Sequence, residues 1–387
     1  MPIINRIGEF HDEMKGWRRH LHAHPELQYD CHQTAAFVAE RLREFGVEEI
    51  HTGIAQTGIV AIINGQGDGP TIGLRADMDA LPILEAGNAD HKSTITGKMH
   101  ACGHDGHTTM LLGAAKYLAE TRNFRGRVAL IFQPAEEGGR GGLAMCDEGM
   151  MERFDIGEVY AIHNGPNMPE GHFMIRPGPF LAAPALFEIE VKGRGGHAAL
   201  PHETIDPLPA LVQIYQAIQT IPSRNINALD NVVISVTTMN AGTAFNVVPD
   251  DGRLTGTVRT MKTESHAIVE KRMAEICANT AAAFNATANL NYKAGFPATV
   301  NDPDKTRFAA DVARQVAGAA AVDDDAPPLM GSEDFSYMLE RRPGAYIFLG
   351  AGPGATLHHP EYDFNDDIST TGASYFVRLV EAAQPLA

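Results

Sequence analysis

Cysteine is scarce in this sequence, with four residues among 387. They are Cys31, Cys102, Cys146 and Cys277, and they stand far apart in the chain. Proteins that depend on disulfide bonds for stability are usually small, and their cysteines are much denser. We therefore expect no disulfide framework, and the reducing cytoplasm is the location that fits this composition best.

Long apolar runs and an excess of basic residues are missing as well. The N-terminus turns charged too early for a signal peptide, and nowhere do eighteen apolar residues follow one another. We therefore expect no contact with a membrane. Lysine and arginine number 31 against 48 aspartates and glutamates, which gives a formal net charge of -17. Such a surface repels phosphate backbones, so nucleic acid is not an expected partner.

The composition that remains is that of an ordinary globular protein, 44% hydrophobic and 20% charged. A chain of 387 residues exceeds the usual size of a single hydrophobic core, so we expect two domains. Apolar residues at helical spacing predict helices at Ile3–His22, Thr34–Phe45 and Thr108–Glu120.

Several short apolar runs predict strands, and each is followed by a polar residue that can bind a metal. The runs are Thr71–Ala76 before Asp77, Arg127–Phe132 before Glu136 and Glu137, Val159–Ile162 before His163, and Tyr346–Leu349 before a loop with His358. In open α/β sheets, binding sites form outside the carboxyl ends of the strands. One shared site at that edge would account for all of these residues.

The middle third of the sequence has a different order of elements. Strand, helix, strand, strand, helix and strand are predicted in turn at Phe187–Val191, Pro207–Ile221, Val232–Thr237, Arg253–Val258, Ser265–Phe284 and Asn289–Lys293. This split order is typical of ferredoxin-like modules. We therefore predict an α/β domain at 1–182 and 299–387, interrupted by an inserted α+β module at 183–298.

The segment 99–107, MHACGHDGH, holds the densest group of potential metal ligands. A thiol and three imidazoles lie within eight positions, at His100, Cys102, His104 and His107. These groups are good ligands for divalent transition metals, and the two glycines between them would allow a tight loop to turn several inward. His100 and His107 taken singly fit a supporting role as well as ligation.

Two further sets of residues carry potential chemistry. Adjacent carboxylates such as Glu136 and Glu137 can divide labour, one binding metal and the other taking a proton from water. Glutamate pairs are, however, usually solvated, and single histidines such as His163 and His358 are more often structural. Asp79, beside Asp77 at a strand end, would either orient a ligand or cap the turn.

Six motifs then follow one another in an order that resembles a known family. They are RADMDALP at 75–82, CGHDGH at 102–107, FQPAEEG at 132–138, GGHAALPH at 195–202, NVVP at 246–249 and GSEDF at 331–335. Together they resemble the hippurate hydrolase and auxin-conjugate amidohydrolase branch of the aminoacylase/carboxypeptidase metallopeptidases. The resemblance covers essentially the full length.

The resemblance implies a mixed-sheet metallopeptidase domain with two divalent ions per subunit. The implied ligands are Cys102, His104, Glu137, His163 and His358. Glu136 is the implied general base and acid, and Asp79 is counted with the catalytic residues. The inserted module is implied to be a lid that also forms a homodimer, from which His197 reaches a partner active site. Asn246 and Arg259 are implied to contact the substrate.

The activity implied is hydrolysis of N-acyl amino acids, such as hippurate-like, N-acetyl or indoleacetyl compounds, to a carboxylic acid and a free amino acid. A dipeptidase or carboxypeptidase remains an alternative, as does a non-catalytic metal-binding relative. A closed structural zinc site is disfavoured because the candidate ligands exceed four. The ligand types suit zinc but also manganese, cobalt or nickel.

Two further features lie near the N-terminus. After Pro25-Glu26-Leu27 the family usually has acidic residues, whereas this chain has Gln28-Tyr29-Asp30-Cys31-His32. This departure affects none of the implied catalytic residues. The alternating histidines at 20, 22 and 24 are interpreted as structural and not as a metal site.

Overall fold

The computed structural model describes residues 4–386, apart from the side chain of Thr263. The helices are α1 (Asn5–Gly8), α2 (His11–Ala23), α3 (His32–Glu44), α4 (His104–Thr121), α5 (Gly141–Asp147), α6 (Met150–Arg153), α7 (Pro207–Ile218), α8 (Ile221–Arg224), α9 (Thr263–Ala283), α10 (Pro303–Ala317), α11 (Ser336–Arg341) and α12 (Ser369–Ala383). The strands are β1 (Glu49–Ile54), β2 (Gly58–Asn64), β3 (Thr71–Asp77), β4 (Arg127–Gln133), β5 (Ile156–Gly165), β6 (Phe173–Met174), β7 (Gly178–Leu181), β8 (Ala183–Lys192), β9 (Gly196–His197), β10 (Val232–Ala241), β11 (Val247–Val248), β12 (Asp251–Thr260), β13 (Thr287–Ala294), β14 (Thr299–Asn301), β15 (Val322–Asp323) and β16 (Gly344–Gly350).

The chain divides into two compact units. The first comprises residues 1–180, 300–327 and 334–387, and the second comprises residues 181–299 and 328–333. The short segment 328–333, which the sequence interpretation did not assign to the inserted module, is tied to it by backbone contacts. The amide of Ala182 donates to the carbonyl of Gly331 at 2.8 Å, and Leu181 bridges to Leu329.

An eight-stranded mixed sheet, in the order β1-β2-β4-β3-β5-β16-β6-β15, forms the centre of the first unit. Its inner strands β4, β3, β5 and β16 run parallel to one another. Strands β3 and β16 are buried along their whole length, as expected for parallel strands that are covered on both faces. The predicted mixed α/β fold is therefore confirmed, and the carboxyl ends of these four strands lie at one edge.

The second unit is built on a four-stranded antiparallel sheet in the order β10-β12-β8-β13. Helices α7 and α9 belong to the same unit, and the chain order β8-α7-β10-β12-α9-β13 is that of a ferredoxin-like arrangement. Its core includes Phe187, Ile189, Leu211, Leu254 and Met273. A small ladder of β9 and β11 lies outside the main sheet.

Two of the predicted helices differ from those observed. The segment Ile3–His22 was predicted as one helix, and its first residue lies outside the described residues. The described part of this segment forms two helices, α1 and α2, which are separated at residues 9 and 10. The predicted helix Thr108–Glu120 begins four residues earlier, at His104. The metal-ligand motif is therefore part loop and part helix, and is not a loop throughout.

All four cysteines are buried and unbridged. Among residues 4–386, none of the helices combines the length and the apolar character needed to cross a membrane.

Candidate metal centre

The parallel strands of the first unit bring the predicted ligands to one edge of the sheet. Asp77 closes β3, Glu136 and Glu137 follow β4, and His163 lies near the end of β5. His358 follows β16, and its backbone amide donates to the carbonyl of Ala101 at 2.8 Å. Residues separated by more than 250 positions therefore share one site because parallel strands end on the same side.

Cys102 and His104 are presented by the turn into α4. Gly103, between them, has φ 90°, the left-handed conformation that favours glycine. A Cβ atom there would lie 2.4 Å from Oδ1 of Asn164 and 2.7 Å from the hydroxyl of Tyr362. Glycine is therefore required at this position for both backbone conformation and space, and the helix can begin at His104.

His104 and His163 each have one ring nitrogen fixed by a backbone carbonyl. Nδ1 of His104 donates to the carbonyl of Asp79 at 2.7 Å, and Nδ1 of His163 donates to the carbonyl of Asn164 at 2.8 Å. Because a carbonyl can only accept, these bonds set the tautomer and leave each Nε2 as the lone-pair donor. Nε2 of His104 is buried without a hydrogen-bond partner among the described residues, and Nε2 of His163 lies 3.6 Å from Sγ of Cys102.

The predicted ligands form overlapping groups whose donor atoms lie within 4.8 Å of one another. The groups are Cys102 with His104 and His163, Cys102 with Glu137 and His358, and His104 with Glu136 and Glu137. Oε1 of Glu137 is buried without a hydrogen-bond donor among the described residues, and Nε2 of His358 lies 3.4 Å from it. Buried donor atoms that converge on one place, two of them without a hydrogen bond among the described residues, fit a divalent cation.

The charges in the cluster support the same fit. Burial, aided by Glu137, raises the pKa of the Cys102 thiol to about 12. Burial would lower the pKa of His104, but Asp77 and Cys102 raise it well above its usual value. The cluster therefore attracts positive charge at Nε2 of His104, where a proton and a metal ion compete for one lone pair. A bound cation also favours the thiolate, so metal binding is expected to release protons.

Asp79 lies behind the two glutamates. Its Oδ1 accepts from the amide of Glu136 at 2.9 Å, and its Oδ2 accepts from the amide of Glu137 at 3.1 Å. Both carboxylate oxygens thus accept hydrogen bonds from backbone amides, while the carbonyl oxygen of the same residue accepts from the ring of His104. This placement makes Asp79 a positioning residue for three neighbours.

His107 forms a further buried group with Asp77 and His104, and its ring takes part in a hydrogen-bond network. Its Nδ1 donates to Oδ1 of Asp77 at 2.6 Å, and its Nε2 lies 2.6 Å from Oδ1 of Asn164. Arg75 pairs with the other oxygen of Asp77 at 2.7 Å. Because both ring nitrogens are engaged, the geometry places His107 in support of the ligands. His100 is buried and belongs to none of the ligand groups found among the described residues.

Several functional neighbours were not identified from the sequence. Asn164 and Tyr362 surround the Gly103 turn, and Gln133 and Asp334 hold Arg75 through bonds of 2.9 and 3.1 Å. Two of them gave a signal, since Gln133 lies in the FQPAEEG motif and Asp334 in the GSEDF motif. The others become visible only when segments distant in the chain are brought together.

The remaining predicted site residues belong to the second unit. His197 is exposed on β9 opposite Val247 of β11, and its Nδ1 accepts from the amide of Ala199 at 3.1 Å. Asn246 is exposed, and its carbonyl accepts from the amide of Ala198. Arg259 is half-buried in β12, and burial lowers the pKa of its guanidinium.

Comparisons with known proteins agree over almost the whole chain. Residues 73–382 match the profile of Peptidase family M20/M25/M40. A hippurate hydrolase of Campylobacter jejuni is 39% identical over 98% of both chains. An N-acetyl-L-cysteine deacetylase of Bacillus subtilis is 40% identical over 97% of this chain and 88% of that protein. The IAA-amino acid hydrolase ILR1-like 2 of Arabidopsis thaliana is 41% identical over 95% of this chain and 84% of that protein.

A solved structure gives the same result at the level of the fold. The YXEP protein of Bacillus subtilis, described as a dinuclear metal binding peptidase of the M20 family, superposes with a TM-score of 0.85. It is 32% identical, and the match covers 97% of this chain and 99% of that one.

Proposed function

Because this chain belongs to peptidase family M20/M25/M40, we propose that it is a metal-dependent amidohydrolase of N-acyl amino acids. It cleaves the amide bond to give a carboxylic acid and a free amino acid, as the names of its relatives indicate for them. The observation that carries the proposal is that thiol and imidazole donor atoms lie close to the carboxylates of Glu136 and Glu137 in one mostly buried cluster.

We propose that each subunit holds two divalent ions. The donor groups overlap at Cys102, His104 and Glu137, so neighbouring ions could share the cluster. If two ions share five protein ligands, each has fewer than the four of a closed zinc site, which leaves coordination positions for water and substrate. The thiolate favours zinc-like ions, whereas the imidazoles and carboxylate also suit manganese, cobalt or nickel.

A divalent cation, when bound by these donors, acts as a Lewis acid that polarises the amide carbonyl and acidifies water. Glu136 takes a proton from the attacking water and delivers it to the nitrogen of the leaving amino acid. Its backbone amide is held by Asp79, which limits the motion of the base. Glu137 remains a ligand because it also lies in the group of Cys102 and His358.

His197 is proposed to stabilise the oxyanion that develops on the substrate carbonyl. Because its Nδ1 accepts a bond from the amide of Ala199, the ring proton of the neutral imidazole lies on Nε2. An exposed Nε2–H is the donor that an oxyanion requires. Asn246 and Arg259 are proposed to contact the substrate, the guanidinium suiting a carboxylate.

The second unit is proposed to form the homodimer that delivers His197 to a partner active site. Helix α7 exposes Leu208, Val212 and Tyr215, which recur at i, i+4 and i+7 and therefore share one face. Strand β10 is an outer strand of its sheet and exposes Val233 and Met239. An apolar helix face beside an unpaired strand edge suits a second copy of the same surface.

The decisive experiment is a hydrolysis screen of N-acetyl, benzoyl and indoleacetyl amino acids, with zinc, manganese, cobalt or nickel added back to the apoprotein. We expect release of free amino acid that depends on metal and is abolished by a chelator. A protein that binds metal but cleaves none of these amides, or prefers unacylated peptides, would contradict the proposal.

A further inference from the structure

The loop that carries Glu136 and Glu137 has a strained backbone. Ala135 and Arg140 have φ of 56° and 61°, in the left-handed region that side chains disfavour. Between them, the amide of Gly138 donates to the carbonyl of Glu136 at 2.6 Å and closes a three-residue turn centred on Glu137. Such a backbone persists only where surrounding contacts hold it.

Asp79 holds this loop from one side, and a second turn holds it from another. The side-chain amide of Gln28 donates to the carbonyl of Glu137, and the hydroxyl of Tyr29 donates to the carbonyl of Gly139 at 2.7 Å. The amides of Glu136 and Glu137 are thus bound by Asp79, while carbonyls of the same loop are bound by Gln28 and Tyr29.

The two turns also interlock sterically. Gln28 itself has φ 51°, so it too occupies the left-handed region. A Cβ atom on Gly139 would lie 2.6 Å from Cβ of Ala135 and 2.9 Å from Oε1 of Gln28. The absence of a side chain at Gly139 is what allows the second turn to approach the loop this closely.

The turn of Gln28 and Tyr29 is anchored independently of the loop. The hydroxyl of Thr57 donates to the carbonyl of Tyr29 at 3.0 Å, and the thiol of Cys31 donates to the carbonyl of Gln28 at 3.1 Å. The carboxylate of Glu26 accepts from two amides at the start of α3, at 3.1 and 2.9 Å. The turn can therefore transmit the rigidity of its surroundings to the loop.

We propose that Gln28 and Tyr29 are positioning residues for the general base, forming a clamp that fixes Glu136 relative to the ligand Glu137. This inference rests on the proposed role of Glu136. The residue type at position 28 is essential, because a side-chain amide supplies the N–H that a carboxylate at this place would lack.

Gln28→Gly separates positioning from folding, because glycine removes the amide and also relieves the left-handed strain. We expect kcat to fall by roughly tenfold to a hundredfold, the loss that a small misplacement of a catalytic group produces. KM, metal content and Tm should stay close to those of the parent holoenzyme. Tyr29→Phe, which removes only the hydroxyl, should lower kcat by a smaller factor, and the two losses combined should exceed either one.

Backbone amide exchange of the segment 134–142 gives a readout that does not depend on the substrate. We expect faster exchange there in Gln28→Gly than in the parent protein. The matched control is Asn285→Gly, which replaces another exposed amide side chain with φ 58°, in the second unit. Its kcat and its exchange at 134–142 should match the parent.

If the parent cleaves no N-acyl amino acid, the proposed function fails, yet the exchange experiment still tests the clamp. Unchanged exchange at 134–142 in Gln28→Gly would overturn the clamp, whatever the activity. It would also be overturned if kcat were unchanged, or if the loss of activity matched a loss of bound metal or folded protein.

Discussion

The two units of this protein hold their functional side chains in opposite ways. In the first unit, Cys102, His104 and His163 are buried, and each histidine ring is fixed through Nδ1 by a backbone carbonyl. In the second unit, His197 and Asn246 are exposed; His197 lies on a ladder of two strands with two residues each, and Asn246 directly precedes the second of these strands. The first arrangement is rigid before any ligand arrives, and the second is open to solvent.

The proposed roles of the two sets of residues account for this difference. Donor atoms bind a cation more strongly in a low dielectric and when hydrogen bonds fix their direction. Burial therefore strengthens the interaction between these ligands and a metal ion. Residues that meet a substrate from solution must stay accessible, and a closed active site is what gives such groups a low dielectric. The predictions below test this contrast, from the largest expected effect to the smallest.

The largest effect is expected at the two adjacent glutamates of the first unit. Glu136→Gln removes the proton acceptor but no ligand, so turnover should fall by roughly two to four orders of magnitude while metal content is retained. Glu137→Gln should also reduce bound metal, because the carboxylate belongs to the group with Cys102 and His358. Kinetics with elemental analysis of both variants measures this, and the reverse pattern would mean that the two roles are exchanged.

His197 of the second unit should show the next largest effect. His197→Ala should lower kcat by about a hundredfold to a thousandfold, the cost of losing one oxyanion donor, without loss of metal. Mixing this variant with Glu136→Gln under subunit exchange should restore part of the activity, since one site of a mixed dimer has both residues. Inactive mixed dimers, or a fully active His197→Ala, would refute a shared site.

Cys102→Ala should weaken metal binding and activity together. Loss of a ligand should cost more than the roughly 10- to 100-fold in affinity that loss of a supporting hydrogen bond costs. Cys277→Ala is the control, because this thiol is also buried but lies in the core of the second unit. Full metal occupancy and normal turnover in Cys102→Ala would disprove the ligand set.

The buried charges of the first unit should make its stability depend on pH. Burial opposes the charge on His22, but bonds to Asp105 and Glu85 raise its pKa to about 9. This pKa exceeds the usual value near 6.5, so the imidazolium contributes its full stabilisation of the fold below about pH 6.5. This stabilisation is lost as the pH rises through about 9. The loss is at most roughly 3.5 kcal/mol, at about 1.4 kcal/mol for each of the roughly 2.5 pKa units between 6.5 and about 9.

Unfolding free energies measured between pH 6 and about 10 should therefore slope downward in the parent, and less so in His22→Gln. His202→Gln replaces an exposed histidine of the second unit and should keep the parent slope. Equal slopes in the parent and His22→Gln would show that the buried pair does not control stability in this range.

The smallest effect on folding is expected on the exposed face of α7. Val212→Asp changes a side chain that is 43% exposed, so the stability of the subunit should change by less than about 0.5 kcal/mol. The same change should dissociate the proposed dimer, which sedimentation measures. A dimer of unchanged affinity would place the interface elsewhere.

The fold was largely predictable because several of its strands can be recognised in the sequence as short apolar runs that precede polar residues. The start of α4 was not, since it depends on a left-handed Gly103 packed against Asn164 and Tyr362, which are far away in sequence. The role of Gly106 was also misread as loop flexibility. A Cβ there would lie 2.2 Å from the ring of Phe364, so the glycine serves close packing within a helix.

The sequence alone determined which chemical groups are available and which strand ends they follow, because both are properties of short segments. The tertiary structure decided which lone pairs stay free. It occupied both oxygens of Asp79 with backbone amides and both ring nitrogens of His107 with neighbours, while within residues 4–386 it left Nε2 of His104 without a hydrogen bond. Hydrogen bonds are short and directional, so their assignment depends on distances between segments that no local pattern encodes.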